Sequence, residues 1–430
     1  MKSSHRLSSL LALPLLFASA HYAYAPANHW SKWSIDASGN GADGVHTGDI
    51  NRDGLIDVVS GWEESGQVKL YLNPGLGKLR TQAGWPGIDI SGGLEIDGIE
   101  DAAFADLDLD GHIDTVLSSI EGDTRSLGLH WFGQAPMEAS RSWQAISLTP
   151  GHRAGYMKAR AAQIDGIGGA DIVAGTKTMG DVHAGIYWFA SPPDTHATDP
   201  VEWREYFVGE IDVKTVTLVL KDMDADSLVD IVYSGRNGVG WFRNPGHSAL
   251  VDDPANAQWE RIVVATTGSE YTFCDHDGNG LEDLIVTTSK TSGMVAKWLQ
   301  RLDDSGRHWR EFPVMSDDLR PGLASGRKFV LKGVACGFVD DDGVIDIVFT
   351  ASGYGHGVFM MSPRAEISAG KPWEVTYLSL YADRMKYDNL QLVDVDGDGD
   401  LDVVTSEEGQ GIFSSGDGVL WFENPRNSSE

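Results

Sequence analysis

Carboxylates at alternate positions, then a glycine, then a closing Asp, recur along this 430-residue chain. Asp394, Asp396, Asp398, Gly399 and Asp402 set the pattern D-x-[DN]-x-[DN]-G-x-x-D. Asp106/Asp108/Asp110/Gly111/Asp114, Asp49/Asn51/Asp53/Gly54/Asp57 and Asp275/Asp277/Asn279/Gly280/Asp283 repeat it. Asp222/Asp224/Asp226/Asp230 repeats it with Ser227 in the glycine's place. Carboxylates this dense repel one another unless a cation lies between them. Hard oxygen ligands on a tight loop suit Ca²⁺, at about 2.3–2.6 Å. Positions 1, 3, 5 and 9 would supply side-chain oxygens and position 7 a backbone carbonyl, while the glycine permits the positive φ of the turn. About five structural Ca²⁺ sites are therefore expected. The third repeat, Gln163/Asp165/Ile167/Gly168/Asp171, keeps too few carboxylates for a metal, and the sixth, Phe338/Asp340/Asp342/Gly343/Asp346, lacks position 1.

An EF-hand would need a Glu at position 12 and flanking helices. Here that position holds Ser60, Leu117, Tyr233, Val286 or Thr405, and the loops run into Val58-Val59, Ile231-Val232, Leu284-Ile285-Val286 and Val403-Val404. The loops therefore join strands. Their closing residues, Asp57, Asp114, Asp171, Asp230, Asp283, Asp346 and Asp402, fall 53–63 residues apart. A period that steady marks a repeat architecture.

Two further motifs run in phase. One is an aromatic strand ending in Asn-Pro, as in Leu70-Tyr71-Leu72-Asn73-Pro74, Trp241-Phe242-Arg243-Asn244-Pro245 and Trp421-Phe422-Glu423-Asn424-Pro425. The other alternates with period two behind a Trp, as at Trp85/Ile88/Ile90, Trp203/Tyr206/Val208 and Trp259/Ile262/Val264. Four strands per unit and seven units predict an all-β, seven-bladed β-propeller spanning residues 26–430 as one domain. The last unit lacks its Trp strand, and an orphan one stands at Trp30/Trp33/Ile35. Residues 29–36 should therefore close the last blade and remove an open sheet edge. The repeat resembles the FG-GAP/VCBS propeller family, which includes integrin α-subunit propellers and Psathyrella-type fungal lectins. The propeller of fungal aldos-2-ulose dehydratase is similar in repeat type.

Residues 1–25 read as a secretory signal: Lys2, His5 and Arg6 precede an apolar run, and Ala18-Ser19-Ala20 and Ala23-Tyr24-Ala25 are A-x-A cleavage sites. A secreted or periplasmic, monomeric protein without a membrane span is expected. Asn427-Ser428-Ser429 is a glycosylation sequon. The net charge of −30 and the lack of a basic stripe argue against nucleic acid as a partner. Cys274 and Cys336 fall on the inner strands of neighbouring blades. A disulfide needs Cα atoms about 5.5 Å apart; packed sheets usually lie wider, so two buried free thiols are the expectation and a disulfide the alternative.

Ligands of propellers usually meet the face opposite such loops. The segments that would build it hold His152, Tyr156, Lys158, Arg160, Lys214, Tyr271, Lys328, Lys332, Lys386 and Asp388, with Trp62, Lys177, His183, Arg236, Tyr354 and His356 nearby. These differ from blade to blade, which favours one composite site for a carbohydrate or an extracellular protein. The one-sided basic set suits an anionic sugar. A second reading, implied by the dehydratase resemblance, is β-elimination on a uronic-acid or keto sugar by a carbon–oxygen lyase. Tyr156 or His152 would be the base, and Lys158, Lys214, Lys386 or Arg236 would neutralise the enolate. His46, on an inner strand, reads as a structural histidine. The chain has no G-x-S-x-G and no H-E-x-x-H, so serine-hydrolase and zinc-protease chemistry lack support.

Overall fold

The aliphatic residues behind each acidic loop form the second strand of a four-stranded antiparallel sheet. Asp57–Trp62, Asp230–Gly235 and Asp402–Glu407 are buried along their whole length. That is the state of a strand covered on both faces by neighbouring sheets. The outer strands Arg204–Glu210 and Glu260–Ala265 are largely exposed. The computed structural model describes residues 29–426, less 82–83, 92–97, 108–112, 120–126, 132–143, 149–154, 194–201, 237, 289–293, 317–328, 354–356, 364–371, 380–384 and 410–415. Residues 1–25, expected to be a secretory signal, and the sequon at Asn427 lie outside the described residues.

The inner strands are Ala42–Gly48, Ile99–Ala105, Gly155–Ala162, Leu218–Lys221, Tyr271–Cys274, Phe329–Gly337 and Tyr387–Val393. Each begins a sheet built from the next three strands in the chain. The last sheet is completed instead by Ser31–Asp36, which pairs antiparallel with Gly418–Glu423, Trp33 facing Trp421. The expected N-terminal closure is therefore present, in an all-β propeller. The hydrophobic core lies between adjacent sheets. At the closure, Ile35, Trp62, Tyr71 and Trp85 of the chain's beginning pack with Val404, Val419 and Trp421 of its end. Trp62, placed by the sequence reading near the ligand face, is fully buried here and donates its indole N–H to the Tyr71 hydroxyl at 3.0 Å.

The Asn of each Asn-Pro motif fastens one sheet to the next. Asn244 donates through Nδ2 to the Val229 carbonyl of its own loop and to the Ile164 carbonyl of the preceding one, at 3.0 and 3.2 Å. Asn424 does the same to Leu401 and Val339. Asn73 reaches Ile56 and, across the closure, Val395 at 3.0 Å. Where the motif is absent, Arg301 takes the part, with Nη2 on the Met223 carbonyl at 2.7 Å. Nothing in the periodicity alone assigns this role.

The periodic Asp is a brace. Asp230 accepts the Met223 amide on one oxygen and the Asn244 amide on the other, at 2.8 and 2.7 Å. Asp57, Asp283 and Asp402 make the same pair of contacts. So does Asp171, although its loop has lost metal-binding carboxylates: it accepts from Ile164 at 2.9 Å and from Ser191 at 2.7 Å. Position 9 therefore serves the fold whether or not a cation is bound. In Asp171→Asn one of these amides must face an NH₂ group, which costs about 1–3 kcal/mol. A thermal melt should show the loss equally with calcium and with chelator.

Cys274 and Cys336 are joined as a disulfide, with Cα atoms 6.4 Å apart. This corrects the expectation of free thiols. The inner strands of these two blades pack closely enough at this point to bring the Cα atoms within bridging range.

Candidate functional site

The acidic loops stand at the ends of the inner strands and are held in shape by their own backbone. Asp49 accepts from the Asp53 and Gly54 amides at 2.9 and 3.0 Å. Asp275 accepts from Asn279 and Gly280, and Asp394 from Gly397, Asp398 and Gly399. Among the described residues, two loops gather carboxylate oxygens within 4.8 Å of one another: Asp222/Asp224/Asp230 and Asp394/Asp396/Asp402. Buried oxygens of Asp224, Asp396 and Asp398 have no hydrogen-bond partner. Orphaned hard oxygens on a preformed loop fit a divalent cation. Burial, with the neighbouring carboxylates, pushes Asp402 up to about 8 and Asp230 to about 7. A feature missing from the sequence reading is an arginine beside each of these loops. Arg243 pairs with Asp224 at 2.5 Å and Asp226 at 2.6 Å, and Arg80 pairs with Asp396. Asp106 lies within the described residues; Asp108 and Asp110 do not.

The loops with an Asn among their ligand positions are arranged differently. Neither Asp49/Asp53/Asp57 nor Asp275/Asp277/Asp283 gathers its carboxylates within that distance. Asp277, at position 3, is hydrogen-bonded within the protein. One of its oxygens accepts from the Asn279 amide at 3.2 Å, and the other from the Asn279 side chain at 3.1 Å and from Gln300 on the third strand. The physical reason is the residue at position 5. A carboxylate there would repel Asp277 and call for a cation between them, whereas the Asn279 amide group donates to it. In this geometry both oxygens of Asp277 accept from protein donors. Asn51 does the same for Asp53 in the first loop, at 3.0 Å.

A third carboxylate group lies at the opposite end of the strands: Asp43, Asp388 and Glu408, all buried. Here Lys332 sits 3.2 Å from Asp388 and 3.7 Å from Glu408, and Lys386 pairs with Glu408. The two ammonium groups already supply countercharge there. Asp43, Asp388 and Lys332 belong to a cavity of about 300 Å³ in the channel, walled also by His46, Lys158, Arg160, Thr217, Glu270, Tyr271 and Asn389 among others. The wall residues lie on or just before the inner strands, whereas the acidic loops follow those strands.

Backbone irregularity aims these side chains. The pairing register slips between Asp43 and Val45, Ile99 and Asp101, Tyr156 and Lys158, Leu331 and Gly333, and Tyr387 and Leu390. Bulges re-aim side chains, and they concentrate beside functional sites. In the first blade the extra residue is Gly44, at φ 73°, a conformation that glycine adopts without steric cost. In the third blade the slip parts two side chains that a regular strand would place on one face. Lys158 enters the cavity wall, while Tyr156 packs in the core with Leu107, Val116 and Phe189.

The charges interlock. Asp101 receives His46 Nε2 at 2.9 Å and Arg160, and Lys158 lies 4.0 Å away. Burial would raise the Asp101 pKa, but Arg160, Lys158 and His46 outweigh it and hold the carboxylate far below its usual range. Burial raises Asp43, and the neighbouring Asp388, hydrogen-bonded to it, raises it further. Asp388 is itself held low against burial, chiefly by Lys332. Glu270, hydrogen-bonded by Thr217 at 2.6 Å, is pushed by burial to about 7. A carboxyl raised in the folded state binds its proton more tightly there than in the unfolded chain. Its ionisation therefore costs stability as pH rises from the unfolded value near 4.5 through about 7. Glu270→Gln should accordingly be more stable than the parent at pH about 8, by about 1–3 kcal/mol, with no difference at pH about 4. Paired thermal melts across that range check it.

Of the residues singled out from sequence, Lys158, Arg160, Lys332, Tyr271 and Asp388 come together at the cavity. Lys214 is partly buried beside this group and feels Glu100, Lys332 and Lys158; burial lowers its pKa. Lys386 is tied to Glu408. Tyr156 is fully buried in the core between blades, which removes it from the ligand face. His152, Lys328, Tyr354 and His356 lie outside the described residues. The expected basic pole is a mixed network, because carboxylates face its cations. Asp43, Asp101 and Glu270 were missed. Their signal was available as acidic residues on or just before inner strands otherwise rich in apolar residues.

No curated protein matches the chain. Among solved structures it is similar to an Agrocybe aegerita lectin studied for its recognition of non-reducing terminal N-acetylglucosamine. Identity is 16%, the TM-score is 0.47, and the match covers 79% of this chain and 82% of that one. It is also similar to BBS1N, solved in complex with ARL6DN, at 10% identity and a TM-score of 0.50 over 93% of this chain and 98% of that one. At such identities the likeness is one of fold. Residues 49–117 match the model of the FG-GAP-like repeat. That stretch runs from the first acidic loop past the second, and the same loop and brace recur in the later sheets, so an FG-GAP-like repeat is matched within an all-β propeller.

Proposed function

We propose that the chain is an exported, seven-bladed, calcium-braced propeller that binds one carbohydrate ligand in the channel cavity opposite its calcium loops. The interleaving of carboxylates and cations around a single cavity carries this reading. Asp43, Glu270 and Asp388 alternate with Lys158, Arg160 and Lys332, each contributed by an inner strand or by the residue just before one. A sugar hydroxyl both donates and accepts hydrogen bonds, so a ring of alternating acceptors and donors suits a polyol better than a simple anion. The cavity, about 300 Å³, is of a size for one or two sugar rings and is small for a protein surface. Calcium is supported by the orphaned loop oxygens of Asp224, Asp396 and Asp398. Elimination with Tyr156 as the base loses its support, because that side chain is buried between blades.

The test is retention of the calcium-loaded protein on a panel of immobilised neutral and acidic glycans. Binding to one member, lost in Lys158→Met and Glu270→Gln variants that still melt cooperatively, is the expected result. Retention on no member, or equal retention of both variants, would overturn the reading.

A further inference from the structure

We infer that the Cys274–Cys336 disulfide is a redox latch: it fastens a junction between two sheets that lacks the side-chain clamp of its neighbours, and its reduction by a dithiol opens the wall of the channel cavity there. The opening of the junction stands on its own; its effect on a ligand rests on the carbohydrate reading of that cavity.

The clamp needs a side chain that can donate twice. The Asn amide group carries two hydrogens, so Asn73, Asn244 and Asn424 each reach their own loop and the preceding one. Arg301 reaches the preceding loop in their place. A serine hydroxyl has one hydrogen, and two third strands end at Ser191-Pro192 and Ser362-Pro363. Ser191 donates within its own loop, to the Ile167 and Gly169 carbonyls at 3.2 and 3.1 Å. Ser362 donates to Asp346. Among the described residues, neither hydroxyl crosses to the preceding sheet. Each of these two junctions is crossed instead between its inner strands. At the first, Asp101 receives Arg160 and the Ala159 amide. At the second, Cys274 is bonded to Cys336. One junction is held by charge and the other by a covalent bond.

Little else that is polar holds the second junction. One backbone bond crosses it at the outer rim, from the Trp373 amide to the Met315 carbonyl at 2.8 Å. His276 stands at the loop position whose carbonyl accepts the clamp elsewhere. Its ring stacks on Trp373 with centroids 5.2 Å apart, and neither ring nitrogen has a hydrogen-bond partner. The rest of the contact is apolar, with Trp298, Phe349 and Trp373 clustered with Cys274. That packing survives loss of the bond, so reduction opens the seam locally and leaves the chain folded. The cavity spans this seam: Glu270, Tyr271 and Thr272 wall it on one side, and Lys332, Gly333 and Val334 on the other. Each cysteine lies two residues beyond, on the same inner strand. Cys274 is buried and Cys336 half-buried, so a thiolate of the reductant attacks the Cys336 sulfur. A mixed disulfide forms, and Cys274 leaves as a thiolate and takes a proton. The second thiol of the reductant then displaces Cys336 and closes its own disulfide. The protein gains two electrons and two protons, and the dithiol loses them.

Amide hydrogen exchange on the full chain in calcium buffer, before and after dithiothreitol, reads the seam. Retention on the glycan panel reads the cavity. On reduction, Tyr271–Cys274 and Phe329–Gly337 should exchange about 10-fold or more faster, and retention should fall about 10-fold. Leu218–Lys221, between two clamped junctions, should not change. The Cys274→Ala/Cys336→Ala variant should exchange like the reduced parent. Ser362→Asn, which puts a two-hydrogen donor before Pro363, should suppress the acceleration, an outcome that general destabilisation by the reductant would not give. Unchanged exchange at the seam, equal acceleration in every inner strand, or no suppression by Ser362→Asn would overturn the latch. Retention indifferent to reduction would overturn its effect on the cavity. Retention of the oxidised parent on no glycan would sink the carbohydrate reading and leave the exchange result to decide the latch.

Discussion

Chelation of calcium should lower the melting temperature by on the order of 10 °C. The loops concentrate carboxylates that are far apart in an unfolded chain. Without a cation, that repulsion acts on the folded state alone. A ligand held only by the folded chain stabilises it by about 2.7 kcal/mol per site at a hundredfold excess over Kd, and two loops already gather their oxygens within 4.8 Å of one another. The contributions are unequal. Arg243 bridges Asp224 and Asp226 in one loop, and Arg80 engages Asp396 in another, so part of the countercharge is permanent there. The loops of Asp53 and Asp277 rely on amide donors from Asn51 and Asn279, at 3.0 and 3.1 Å, a weaker substitute for charge. Differential scanning calorimetry with and without chelator, followed by calcium or magnesium, checks the effect. Full recovery is expected with calcium and little with magnesium, which demands a tighter octahedral cage and sheds water reluctantly. A melting temperature indifferent to chelator would mean that the backbone amides and arginines suffice to hold the loops.

The repeat, the strand order and the N-terminal closure were legible because each is written into local chemistry. A loop spacing, a run of β-branched residues and an orphan Trp strand need no tertiary knowledge. The braces were half legible. The recurrence of Asp at position 9 was plain, but its use by two backbone amides depends on where the third strand ends, and Asp171 reveals it by keeping those bonds in a degraded loop. Asp277 fits the ligand spacing as well as Asp396 does, but its contact with Gln300 comes from the third strand and is invisible in the loop sequence. The channel was the least legible part. Lys158 and Tyr156 look like neighbours on one face until the slip between them is known. Asp101 looks like one more acid in an acidic chain. Position in a strand predicts the face of a side chain only while the register holds, and in this protein the register slips in most of the inner strands that supply the cavity.

Asp101→Asn should be among the most damaging single substitutions in the molecule, costing about 3–5 kcal/mol. The carboxylate is 1% exposed and receives His46, Arg160 and the Ala159 amide, with Lys158 at 4.0 Å. Asparagine fits the space but removes the charge, leaving a guanidinium and an ammonium without their shared partner. Removing one member of a buried ion network costs more than the network's net worth, because the survivors remain desolvated. The double variant Asp101→Asn/Arg160→Met should therefore recover part of the loss, a coupling that a double-mutant cycle measures. The pH dependence has a fixed sign. The folded Asp101 pKa is depressed below its ordinary 3.8, so its stabilisation is complete above that value and fades as pH falls below it. The gap in melting temperature between parent and Asp101→Asn should be widest at neutral pH and narrow under acid. A gap of constant width would mean that Asp101 contributes shape and not charge, and the orientation of His46 would then need another source.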